Sequence, residues 1–171
     1  MSSPLGNDDT EVLEFISASA APLEWATRAL RAGDLAACLA AERFTQRSCV
    51  TVAVDECKLF HWQPEPATAV VGSGAEKVAS QPATTGQQMT LVLKARVNRT
   101  WSTSCEVGVK MLLESASGAL HHYMSAYFTF VSLDSNGKRT TLPSLAAPDN
   151  QGTEAWRRFV EANERRRIRL A

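Results

Sequence analysis

An α+β fold is the reading of this sequence, and three observations carry it. The run LRAGDLAACLAAERF at 30–44 has the spacing and the small residues of one long helix. Valine-rich segments with period-two alternation follow it, as half-buried strands do. A charged helical pattern, WRRFVEANERRRIRL, closes the chain.

Taken in order, residues 1–10 are polar and acidic and are expected to be a disordered leader. EVLEFISAS alternates enough for a first strand, and SAAPLEW leads as a turn into the helix, with Pro22 suited to a loop or a first helical turn. The helix is expected over about 26–44. Ala26, Leu30, Asp34, Ala37 and Ala41 share one stripe, with Gly33 and Cys38 beside it. If that stripe is the buried one, Asp34 points inward, at a cost of several kcal/mol unless it is partnered. The alternative is that Asp34 lies at the edge of the stripe or caps a break made by Gly33. The alanines and Gly33 leave little bulk, so a sheet can approach the helix axis closely.

Four strands are expected next: CVTVAVDECKLF (49–60), QQMTLVLKARVNRTW (87–101), SCEVGVKMLLES (104–115) and HHYMSAYFTFVSLD (121–134). SASGAL joins the last two, and DSNGKR is a tight turn whose Asn136-Gly137 is a type I′ signature before a short TTLPSL end. Between the first two strands, 61–85 holds Pro64, Pro66, Gly72, Gly74 and Pro82 with few bulky apolar residues, and is expected to be an inserted loop. This divides the chain into a leader (1–10), one domain (11–145, with the 61–85 insertion), and a C-terminal linker and basic helix (146–171). One long helix cannot cover both faces of such a sheet, so the open face is expected to be buried by another subunit.

At 171 residues, 44% hydrophobic and 21% charged, the composition is that of one ordinary globular domain. Eighteen basic and eighteen acidic side chains cancel, so no overall field draws the protein to nucleic acid or membrane. The six arginines of the closing segment alternate with Glu154, Glu161 and Glu164, the pattern of a solvated or subunit-docking helix. No apolar run approaches the roughly 20 residues that span a bilayer, and the start lacks the basic and apolar regions of a secretory signal. Cys38, Cys49, Cys57 and Cys105 form no CxxC pair and read as small core residues in a reducing, cytoplasmic compartment. No metal site is expected. His121 and His122 are adjacent, and neighbours on a strand point to opposite faces.

The stretches DLAACLAAERF, SCVTVAVDECKLF, GQQMTLVLKARVNRTWSTSCEVGVKM and SAYFTFVSLDSNGKRTTLPSL, with the closing WRRFVEANERRRIRL, resemble the hotdog-fold acyl-CoA thioesterases of the cytosolic acyl-CoA hydrolase type, present here as a single domain. The resemblance implies a long helix wrapped by an antiparallel sheet, paired with a second copy so that active sites lie at the interface of a dimer or hexamer. It implies hydrolysis of acyl-CoA to free acid and CoA, with no cofactor beyond the CoA of the substrate. It places the family's water-activating aspartate at Asp34, general-base or nucleophilic work for a carboxylate.

The family's His-x-Asn triplet falls on Ser17, Ala18 and Ser19, where Ser19 retains one hydrogen-bond donor in place of an amide. The helix-opening residue whose backbone N–H helps form the oxyanion hole falls on Thr27. NRTWSTSCEV matches the strand-turn-strand that lies near the CoA nucleotide in relatives, which makes Arg99, Ser102, Thr103 and Ser104 candidate contacts, with Lys138 and Arg139 of the hairpin turn as weaker ones; an ordinary solvated strand end would look the same. Thr51, Phe60 and Trp25 are expected along the acyl or pantetheine channel, though plain core or turn residues have the same appearance. The altered triplet leaves a second reading open, a non-catalytic hotdog protein that binds acyl-CoA or serves as a structural subunit.

Overall fold

The computed structural model describes residues 9–17, 22–60, 88–115 and 117–171. Most of the expected leader, Ser19 and the 61–85 insertion lie outside the described residues. The elements follow in the expected order: β1 (Thr10–Ser17), α1 (Pro22–Thr45), β2 (Cys49–Leu59), β3 (Gln88–Thr100), β4 (Ser104–Glu114), β5 (Leu120–Ser132) and α2 (Glu154–Leu170). The strands form one antiparallel sheet in the order β1-β3-β4-β5-β2, so β1 and β2 are its edges.

The helix starts at Pro22 rather than near Ala26, and Trp25 belongs to it. Proline fits a first turn because the N–H it lacks would have no helical partner there. The buried stripe also differs from the expected one. It runs through Trp25, Ala29, Ala32, Ala36, Ala37 and Ala40, and the expected Ala26, Leu30 and Asp34 are its half-buried flank. The sheet closes on the smallest face of the helix, and a carboxylate on the flank escapes full desolvation. A Cβ on Gly33 would overlap Met111 Cε and lie 3.6 Å from Phe128 Cζ, which shows how closely sheet and helix approach.

Alternation along β5 assigns the two sides of the sheet. Phe128 turns to α1, whereas Tyr127 and Thr129 turn to α2. The face expected to be open is thus partly covered by the chain's own C-terminal helix. Thr153 caps α2 by accepting from Trp156 N at 3.2 Å. Of α2 only Ala162 and Arg165 are buried. Its hold on the sheet is ionic: Arg165 donates Nε to Glu106 Oε2 (2.9 Å) and Nη2 to Oε1 (2.7 Å). The same guanidinium lies 3.6 Å over the Tyr127 ring. Glu106 is fully buried and also accepts from Asn98 Nδ2 at 3.0 Å. At the end of α2, Arg169 pairs with Asp55 and Thr129.

Two smaller expectations are corrected. The turn after β5 is not type I′: Gly137 has φ 74°, but Asn136 is not in the left-handed region. Asp134 organises it instead, with Oδ1 accepting from Asn136 N (2.8 Å) and Lys138 N (2.9 Å) while Gly137 N donates to Asp134 O (3.0 Å). A side chain that satisfies two backbone donors favours a type I turn closed by a left-handed glycine. Among the cysteines, Cys49 and Cys105 are buried, but Cys57 is exposed because β2 is an edge strand that α1 only partly covers.

Candidate active site

The carboxylate of Asp34 meets the start of β2. Thr51 Oγ1 donates to Asp34 Oδ1 at 2.7 Å, across 17 positions of sequence. Asp34 is half-buried and Thr51 exposed, so the pair is reachable from solvent. One turn on, Cys38 Sγ lies 3.8 Å from Cys49 O, and one turn further Glu42 Oε1 accepts from Cys49 N at 3.1 Å. Residues 34, 38 and 42 stand on one helix flank and stitch α1 to the edge strand. Burial, then Glu42, Cys49 and Asp34, push the Cys38 thiol pKa up, so this sulfur stays protonated at neutral pH.

This arrangement has chemistry. A carboxylate fixed by one hydroxyl keeps its second oxygen, which has no hydrogen bond among the described residues. That oxygen can take a proton from a water, and the Thr51 hydroxyl, already donating to Asp34, can still accept a hydrogen bond from it. Leu35 and Leu39 of α1 and Val50, Val52 and Val54 of β2 are 42–58% exposed, and β2 has no strand neighbour on its outer side.

The other expected site residues are distributed unevenly. Thr27 lies in the second turn of α1, where the backbone N–H is taken by the i→i−4 pattern, and its hydroxyl donates to Leu23 O at 2.8 Å. It therefore offers no free N–H here, because the helix starts earlier than expected. Trp25 is buried and meets Tyr123 edge-on at 6.2 Å. Phe60 stacks on His122 at 4.0 Å, beyond the far end of β2 from Thr51, roughly 25–30 Å away at about 3.3 Å per residue. Within one chain it does not share a site with Asp34.

Ser102, Thr103 and Ser104 lie at the β3–β4 turn, at the same end of the sheet as Thr51, since Ser104 pairs with Val131 and Cys49 with Ser132. Lys138 and Arg139 are exposed in the hairpin that follows β5 at that end. Arg99 is engaged with α2: it donates Nη1 to Phe159 O at 3.1 Å and lies 4.0 Å over the Phe159 ring. Among the described residues no group of three His, Cys, Asp or Glu side chains could hold a metal ion, and no helix is long and apolar enough to cross a membrane.

No family model matches the chain. A stretch of 82 residues is 39% identical to acyl-coenzyme A thioesterase 11 of Mus musculus, spanning 47% of this chain and 13% of that protein. Solved structures match over nearly the whole chain. The acyl-CoA hydrolase of Staphylococcus aureus, in complex with butyryl coenzyme A, coenzyme A and coenzyme A disulfide, superposes with a TM-score of 0.65 at 18% identity, covering 94% of this chain and 88% of that one. The acyl-CoA hydrolase from Bacillus cereus gives 0.66 at 21% identity, with 94% and 88% covered. The chain has the hotdog fold.

A hexameric acyl-CoA thioesterase in its apo form shares this hotdog architecture, with a TM-score of 0.65, 19% identity, and 99% and 97% of the two chains covered. The S. aureus hydrolase has also been characterised with an asparagine, an aspartate or a threonine replaced by alanine. By their numbering, the aspartate there stands 15 positions after the asparagine and 17 before the threonine.

Proposed function

We propose that this chain hydrolyses acyl-CoA thioesters to a free acid and CoA, with Asp34 activating the attacking water at an interface between two copies. The observation that carries the reading is the Asp34–Thr51 hydrogen bond on a solvent-reachable flank beside an unpaired strand edge. Its spacing of 17 positions equals that of the aspartate and threonine replaced in the S. aureus hydrolase, and Ser19 precedes Asp34 by 15 positions, the spacing between the asparagine and the aspartate there. Exposed leucines of α1 and valines of the edge strand β2 supply apolar surface that a second copy would cover. Antiparallel pairing of β2 with β2 of a second copy carries the Phe60 end of one strand toward the Thr51 end of the other, which would return Phe60 to the channel role expected of it. Four free thiols suit a reducing, cytoplasmic setting for such lipid chemistry.

The experiment is release of free thiol from a panel of acyl-CoAs of increasing chain length. Asp34→Asn is expected to lower kcat by about a hundred- to ten-thousandfold. Thr51→Ala is expected to lower it roughly ten- to hundredfold, the worth of a hydrogen bond to a charged group. Ser19→Asn is expected to raise the rate. The non-catalytic reading is favoured by one observation, the absence of a free N–H at Thr27. It prevails if wild type and Ser19→Asn hydrolyse nothing while CoA still binds.

A further inference from the structure

The edge strand β2 is irregular just where it passes the candidate site. Its ladder with β5 steps from Thr51–Phe130 to Ala53–Thr129 and from Val54–Phe128 to Glu56–Tyr127, so Val52 and Asp55 are extra residues with no partner opposite. The second bulge turns two neighbouring acids to the α2 side of the sheet, where an unbroken strand would send them to opposite faces. Glu56 lies 3.5 Å from Arg165 Nη1. Asp55 is held harder: its side chain is 3% exposed, and Oδ2 accepts from Thr129 Oγ1 at 2.5 Å and from Arg169 Nη1. Its other oxygen, Oδ1, is buried with no partner among the described residues.

A carboxylate sunk this deep depends on its cation. Without Arg169 it keeps one hydroxyl and gains by turning out to water, and the bulge would turn with it. The register of β2 rests on few ladder bonds, since β5 is its one strand neighbour among the described residues. A slip of one residue sends every side chain of the slipped stretch to the other face. Thr51 stands four positions before Asp55, ~13 Å along the strand at about 3.3 Å per residue, and only Ala53 and Val54 are paired between the bulges. At the start of β2, Glu42 holds Cys49 N at 3.1 Å. The stretch that aims Thr51 at Asp34 is thus pinned by α1 at one end and by α2 at the other.

We propose that Arg169, in the last turn of the C-terminal helix, is a positioning residue for the site on the opposite side of the sheet: it clamps the Asp55 bulge and so keeps Thr51 in register with Asp34. That this register serves hydrolysis rests on the acyl-CoA reading above. Arg169 acts through Asp55 and Thr51, from the side of the sheet away from Asp34.

The test is a double-variant cycle on the full chain, read by steady-state hydrolysis of acyl-CoA and by backbone hydrogen exchange. Arg169→Gln is expected to lower kcat about fivefold to tenfold, part of the loss given by Thr51→Ala, and to leave KM unchanged. In a Thr51→Ala background it is expected to lower kcat no further, because the group it positions is gone. Arg169→Lys, which keeps a cation for Asp55, is expected to recover part of the loss. Arg158→Gln, which alters an exposed pair with Glu154 on the same helix, is expected to change nothing. Exchange of the 50–57 amides is expected to quicken in Arg169→Gln while that of β3 and β4 stays the same. Should Arg169→Gln not fold, the cycle is run with Asp55→Asn, which keeps the shape and weakens the same pair. An equal loss of kcat with and without the Thr51 hydroxyl overturns the proposal, since a loosened helix would act alike in both. So does an unchanged kcat in an enzyme that needs Asp34, or unchanged exchange over 50–57; the hydrolase then stands and the clamp fails. If wild type hydrolyses no acyl-CoA but exchange quickens over 50–57 alone, the clamp stands and the hydrolase fails.

Discussion

One sheet is covered by two helices in opposite ways. Against α1 the buried centre of the contact is alanine, glycine and apolar sheet side chains such as Phe128 and Met111, closely packed, with polar contacts such as Asp34–Thr51 at its flank. Against α2 it is Arg165 on buried Glu106, Arg169 on Asp55, and guanidiniums over Tyr127, Phe159 and Trp101. The α1 face gains by removing apolar area from water and has little dependence on any single pair. The α2 face depends on partners, since a charge left alone there is costly. Fold stability is therefore expected to resist small changes under α1 and to hinge on single residues under α2.

The largest effect is expected where one buried charge is removed. Arg165→Ala leaves Glu106 buried without its cation and should lower unfolding free energy by about 3–5 kcal/mol. The double variant Glu106→Gln, Arg165→Met should recover most of that loss. Urea denaturation of the three proteins checks it; equal losses in the single and double variants would mean that the charge is not what matters.

A smaller effect is expected from crowding the other face. Ala37 is fully buried against the sheet, and Ala37→Leu should cost about 1–3 kcal/mol through overpacking. This loss should be the same at low and high salt, because no charge is involved. A strong salt dependence in the urea midpoint shift would erase the contrast between the faces.

The smallest expected effect is one of pH. His122 donates to or accepts from Ser125 Oγ at 2.9 Å, and burial followed by nearby Lys110 lowers its pKa below 6.5. The folded state then binds its proton more weakly than the unfolded state does. Stability from this group is present above pH 6.5 and lost as pH falls toward the lowered folded value. His122→Gln should flatten the stability curve between about pH 7 and 5, measured as melting temperature. An unchanged slope would remove His122 as its source.

The sequence by itself determined the order and kind of the elements. Alternation with period two and a long run of small residues at helical spacing are local signals, and each element can bury a face only one way. It also singled out Asp34, because a carboxylate among alanines is conspicuous on any helical projection. Contacts between distant segments were not legible. The register of β2 against α1 decided that Thr51, 17 positions on, is the group that holds Asp34, and the early helix start took the Thr27 N–H. The burial of α2 was hidden for another reason. Its inward residue is Arg165, so a charged pattern reads as solvated, and only the position of Glu106 and Tyr127 on the sheet shows that the arginine is compensated. Periodicity records which side chains avoid water; it does not record which charges find each other, and that is a property of the assembled sheet.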